Sequence, residues 1–336
     1  MTSLLANTTE VAAWVDQVKK TYSGNHVFGK IVGSVIWTDQ TGQDGTSLVS
    51  ADPQKLVTEI NTTGMPLFKG HDPGFPVGRV LAAQIFDSPR GTRFVAAVIG
   101  FYEGGERLSF RDIGVDSTPP VSSPRQVDEL GADCWLDFQF EPREVEAKWV
   151  DDVIRDSPLR VELTELSHNA AEPSVELIRV GLVFLALVWN PFVTSVATAA
   201  GKQVYEDIHR WLRTLWKKLA ERNNPVVVVT SHQYGCQVSF IFRSKEVKIN
   251  YAAHEALPTA AAQAAMLLTN MKARGFSPQS LTYEFDPKSE MWFPLYAFLP
   301  DGRIVCDLNI LVAFEQLPSQ LSLGISRNKD MPRIPE

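Results

Sequence analysis

Three side chains of the types that make a serine nucleophile occur in chain order: His71 in KGHDPG, Ser109 in ERLSFRDIG and Glu165 in LTELS. A serine hydroxyl is a weak nucleophile until a base takes its proton. An imidazole does this best when a third group fixes its tautomer and orientation. Residue types alone leave other readings open, because the chain has six histidines and many serines and sequence spacing does not show that the three meet. His71 ahead of Asp72-Pro73-Gly74 also suits a turn histidine bonded to Asp72. Ser109 also reads as a strand serine, Glu165 as a solvated strand residue, and Arg79 as a structural charge.

The elements that must position these groups come mainly from apolar patterning. Thr8 or Thr9 caps a short amphipathic N-terminal helix. Residues 26–39, 79–87 and 92–102 are rich in β-branched and apolar side chains bounded by turn residues, and read as strands. Residues 108–116 read as a further strand, before a Pro/Ser loop at 116–126. Residues 143–156 suit a helix and 159–167 a returning strand. Consecutive strands without a long helix predict an antiparallel sheet or barrel.

From Arg179 to Lys202 no charged residue intervenes, close to the length of a membrane span. Asn190-Pro191 divides the run, and proline breaks or kinks a helix, so two short buried helices fit it as well as one spanning helix does. In residues 204–222, Val204, Ile208, Trp211, Leu212, Leu215 and Leu219 repeat at helical spacing, with acids near the start and lysines near the end. The following residues read as an α+β module. PVVVVTSH, CQVSFIFR and EVKINYA are strands, TAAAQAAMLLTNMKARG is a helix ending at Gly275, and SLTYEFD and the LPDGR hairpin supply the remaining strands.

Composition excludes several classes. At 336 residues, 44% hydrophobic and 21% charged, the chain is a folded protein of about two domains. A net charge of -7 and a pI near 5.5 argue against a surface built for nucleic acid. No P-loop or dinucleotide fingerprint is present, so neither ATP nor NAD is supported and no cofactor is expected. Cys134, Cys236 and Cys306 lie far apart with no metal-ligand spacing. They read as reduced thiols, and no metal is expected. The N-terminus lacks the pattern of a secretory signal, so the expected location is cytoplasmic, with membrane association through 180–201 as the alternative.

The string HDP-x-x-PVGRV at 71–80, then a strand pair, Leu108-Ser109-Phe110, and TELSHNAAEPSVEL resembles the phage prohead proteases, the serine peptidases of capsid maturation. The resemblance covers about residues 26–178 and carries His71, Pro76, Val77, Gly78, Arg79 and Val80, then Ser109, then Glu165, Ser167 and Pro173. It implies a protease-like β-barrel with flanking helices, Ser109 as nucleophile, His71 as general base and Glu165 as the orienting group. His168 is the rival third member. The backbone N–H groups of Phe110 and Arg111 are the oxyanion candidates. Where the family has a glycine close behind its serine, this chain has SFRDIG, with Gly114 further away. The resulting fold class is α+β: an N-terminal helix at 1–25, the protease-like domain at 26–178, a helical connector at 179–222, a second α+β module at 223–314, and a tail at 315–336. The expected function is a serine endopeptidase, bacterial or prophage-encoded, acting on a protein substrate or on itself. The alternative is an inactive protease-like scaffold that serves binding, self-association or assembly, or acts at a membrane.

Overall fold

The computed structural model describes residues 4–5, 9–41, 52–69, 72–106, 108–117, 135–140, 144–165, 176–182 and 199–307. They form an α+β protein whose chain divides into two compact units, residues 1–107 with 167–174 and 309–336, and residues 108–166 with 175–308.

In the first unit, helix α1 (Thr9–Ser23) precedes strand β1 (Lys30–Thr38), helix α2 (Pro53–Thr63) and strands β2 (Met65–Phe68), β3 (Pro76–Asp87) and β4 (Arg93–Phe101). The strands make one antiparallel sheet in the order β1-β4-β3-β2. Residues of β4 alternate between two cores, because successive side chains of a strand point to opposite faces. Phe94, Ala96 and Val98 meet Val11 and Val15 of α1, while Val95, Ala97, Ile99 and Phe101 meet Ile60 of α2. A central strand covered on both faces therefore reads as an unbroken apolar run.

Helix α2 starts at a built cap: the Asp52 carboxylate accepts the N–H groups of Gln54 and Lys55, and Pro53 fills a position that needs no donor. The helix closes at Gly64, whose φ of 68° a side chain would resist, and a Cβ there would meet the guanidinium of buried Arg79. From the same helix Asn61 does the work of a strand. Its amide donates to the Ala83 carbonyl at 2.9 Å and accepts the Ala83 N–H at 3.0 Å, beyond the point where β2 stops pairing with β3.

In the second unit strands β5 (Trp135–Phe140), β6 (Arg160–Glu165), β7 (Glu176–Leu182), β8 (Pro225–Gln233), β9 (Cys236–Phe242), β10 (Ser280–Asp286), β11 (Met291–Phe298) and β12 (Ile304–Cys306) alternate with helices α3 (Ala147–Ile154), α4 (Ala199–Leu219) and α5 (Val247–Ala273). The sheet order is β12-β11-β10-β9-β8-β7-β5-β6. The pairs β5/β6, β7/β8 and β9/β10 are parallel, and each is joined through one of the three helices. All three helices contribute to one apolar core with Phe138, Ile178, Val227, Phe240, Tyr283 and Trp292 of the sheet. The helical spacing in α4 has the expected result: Ile208, Trp211, Leu212, Leu215 and Leu219 are buried.

Strand β7 runs through residue 178, where the sequence suggested a domain end, and pairs with β8, which follows the 179–222 segment. Both sheets are open among the described residues, which form no closed barrel. Residues 108–116 are a turn and not a strand. EVKINYA is not a strand either, because Val247 begins α5, which continues through Pro258 to Ala273. Pro258 has no N–H to give the His254 carbonyl four residues earlier, and the indole N–H of Trp292 donates to the adjacent Ala253 carbonyl at 2.9 Å. Among the described residues no helix is long and apolar enough to cross a membrane. Residues 183–198, most of the uncharged run, lie outside them.

Candidate functional site

Ser109 sits at the start of a single helical turn that is closed at both ends. Its hydroxyl accepts the N–H of Asp112 at 3.1 Å, and its own N–H donates to the Asp112 carboxylate at 2.8 Å. This reciprocal pair is a capping box, and S-x-x-D at 109–112 is its sequence signature. The N–H of Ser109 holds the Asp112 carboxyl below the usual carboxylate range. At the other end Gly114 has φ 68°, with Gly114 N–H donating to Arg111 C=O at 2.8 Å and Val115 N–H donating to Phe110 C=O at 2.9 Å. Those two bonds are a Schellman stop, and Phe110 and Val115 are both buried beneath it. Glycine at 114 is therefore explained by the left-handed conformation the stop requires. Leu108 fastens the turn to the sheet: it bridges Val305, and its carbonyl accepts the N–H of Cys306 at 2.8 Å.

The geometry leaves Ser109 partly exposed with one lone pair engaged. The backbone N–H groups of Phe110 and Arg111 stand in the first turn that Ser109 caps. Glu165 ends β6, its backbone paired with Phe140 of β5. His71 and His168 lie outside the described residues. In chain position His71 falls in the first unit, and Ser109 and Glu165 in the second.

The residues after His71 are described. Asp72 is buried, its carboxylate accepts the N–H of Gly74 at 2.9 Å, and its carbonyl accepts the N–H of Phe75 at 3.0 Å. Asp-Pro-Gly is thus an Asx turn joining β2 to β3, with PVGRV opening β3.

Two polar groupings inside the second unit escaped the sequence reading. Trp216 of α4 donates its indole N–H to Nδ1 of His254 on α5 at 3.0 Å, and Nε2 of His254 faces Nδ1 of His209 on α4. His254 is fully buried, and burial holds His209 down to about 4 and His254 to about 2. Nothing in a lone histidine on each helix announces this pairing, although His209 and Trp216, seven apart, share one helical face. The second grouping lies on the sheet. Gln233 pairs with Cys236 across the tight turn at Tyr234-Gly235, where both residues have positive φ. The Tyr283 hydroxyl and both polar atoms of the Gln233 amide are buried and have no hydrogen-bond partner among the described residues. Burial pushes the Cys236 thiol up to about 12, so at neutral pH it is a poor nucleophile.

Among the described residues no cluster of three His, Cys, Asp or Glu side chains could hold a metal ion. No family model, curated protein or solved structure matches this chain.

Proposed function

We propose that this chain works by binding, as a protein-binding or assembly protein in which Ser109 is a structural cap. The observation that carries this reading is the reciprocal bond pair between Ser109 and Asp112. It gives the serine a complete structural role, and the S-x-x-D spacing explains its residue type without a reaction. A partner made of protein suits the chain better than nucleic acid, given the net charge of -7. Large apolar side chains stand exposed at Phe75, Leu163, Tyr234 and Met291, the residue types that recognition surfaces use.

A second reading is a serine peptidase of the prohead type with His71, Ser109 and Glu165 as its triad. What favours it is the hairpin: a short apolar strand, β2, precedes His71, and PVGRV opens the next strand, the order the resemblance calls for. One experiment separates the two. The full chain and its Ser109→Ala variant are incubated alone and with an unfolded protein, and all masses are followed. The binding reading expects no cleavage product in either sample, whereas cleavage present only with Ser109 establishes the peptidase.

A further inference from the structure

We infer that His209 and His254 form an acid-released latch between α4 and α5, built so that neither imidazole accepts a proton while the helices remain packed. The hydrogen-bond chain carries this inference. An indole nitrogen only donates, so Nδ1 of His254 bears no proton and its ring proton sits on Nε2. That proton points at Nδ1 of His209, which must accept it and hold its own proton on Nε2. Every site for one more proton along this chain is already an acceptor facing a donor. Protonating His254 at Nδ1 opposes the Trp216 N–H. Protonating His209 at Nδ1 opposes the His254 N–H, and reversing that bond returns the clash to Trp216.

The surroundings offer little relief. The rings cross at 73° with centroids 4.5 Å apart, and Trp216 stacks on Phe242 at 4.3 Å. Among the described residues the charged groups acting on the two rings are Arg213 of α4 and Glu255 of α5, which are paired with one another, and Arg213 also lies over the Tyr251 ring. Glu255 favours protonation of His209 and Arg213 opposes it, while burial is the largest effect on both rings. The helix pair therefore takes up protons only by separating. Once apart, the imidazoles return to an ordinary value near 6.5.

A lower bound on the size follows from His209 alone, since His254 also takes up a proton once the helices part. A ring held at about 4 when packed and 6.5 when free raises the opening constant of α4 roughly thirtyfold between pH 7.5 and pH 5. The test is hydrogen exchange of the full chain at those two pH values, with each peptide's rate divided by its unstructured rate at the same pH. Protection of α4 should fall at least about thirtyfold while that of α2, which contains no histidine, stays constant. Nitrogen-15 spectra of the imidazoles should place both ring protons on Nε2 at pH 7, and protonation should coincide with the loss of α4 protection. Glu255→Gln should leave this fall of at least thirtyfold in place. Unchanged α4 protection, a proton on Nδ1 of His254, or protonation with α4 still protected would each overturn the latch. Loss of the pH response in Glu255→Gln would assign it to the ion pair instead, and a failure of that variant to fold leaves the wild-type measurements decisive.

Discussion

Replacing Ser109 by alanine removes the acceptor of the Asp112 N–H, a bond of 3.1 Å, and leaves the bond from the residue 109 N–H to the Asp112 carboxylate in place. Loss of a serine N-cap costs about 1 kcal/mol, within a range of roughly 0.5–2. Asp112→Ala removes the other bond and should cost a similar amount. Ser109 and Asp112 touch through both bonds, so the two losses should not simply add, and the double variant should show a coupling of about 0.5 kcal/mol or more. Asparagine caps about as well as serine and has no hydroxyl, so Ser109→Asn should recover most of the loss. The assay is urea unfolding of the full chain, supported by amide exchange at Asp112 and Val115. An Ser109→Ala midpoint equal to wild type, or no recovery with asparagine, would refute the capping role.

Truncating Asn61 to alanine should destabilise the first unit by roughly 1–3 kcal/mol, since the N–H and C=O of Ala83 lose their partners, and thermal unfolding would read this out. Leu267 of α5 is fully buried, so Leu267→Ala opens a cavity and should cost about 2–5 kcal/mol in the same assay. Tyr283→Phe should be neutral or stabilising by up to about 1 kcal/mol, because the hydroxyl is buried without a hydrogen-bond partner among the described residues. Stability should also depend on pH through His209. Its value is depressed on folding, so its contribution is fully present above pH 6.5 and is lost as pH falls towards about 4, by roughly 3 kcal/mol in all. A denaturation midpoint that stays flat from pH 7.5 to 4.5 would contradict this.

Much of the fold is legible because burial leaves an unbroken apolar run, as in PVVVV, alternation, as in CQVSFIF, or a helical period, as in the α4 stripe. The failures have local causes. Val247 and Ile249 look like strand residues, but the Ala-rich run after them extends the helix back to Val247 and through Pro258, which tertiary packing tolerates. Helix α2 was legible from Asp52-Pro53, a cap followed by a proline at the first helical position, yet its short apolar face gave no strong period. In the candidate site, LSF suggested a strand because Leu108 and Phe110 are apolar. The controlling signal is the S-x-x-D and glycine punctuation, which makes a turn of the same residues. The imidazole pair could not be read from sequence, since it depends on which faces of α4 and α5 meet.

The claim that Ser109 is a cap is tested most directly by exposing the purified full chain and its Ser109→Asn variant to a serine-reactive fluorophosphonate and measuring intact mass. Absence of an adduct on either protein, with the variant as stable as the wild type, is the expected result. An adduct on the wild type that disappears in Ser109→Asn would contradict the account and establish Ser109 as a nucleophile.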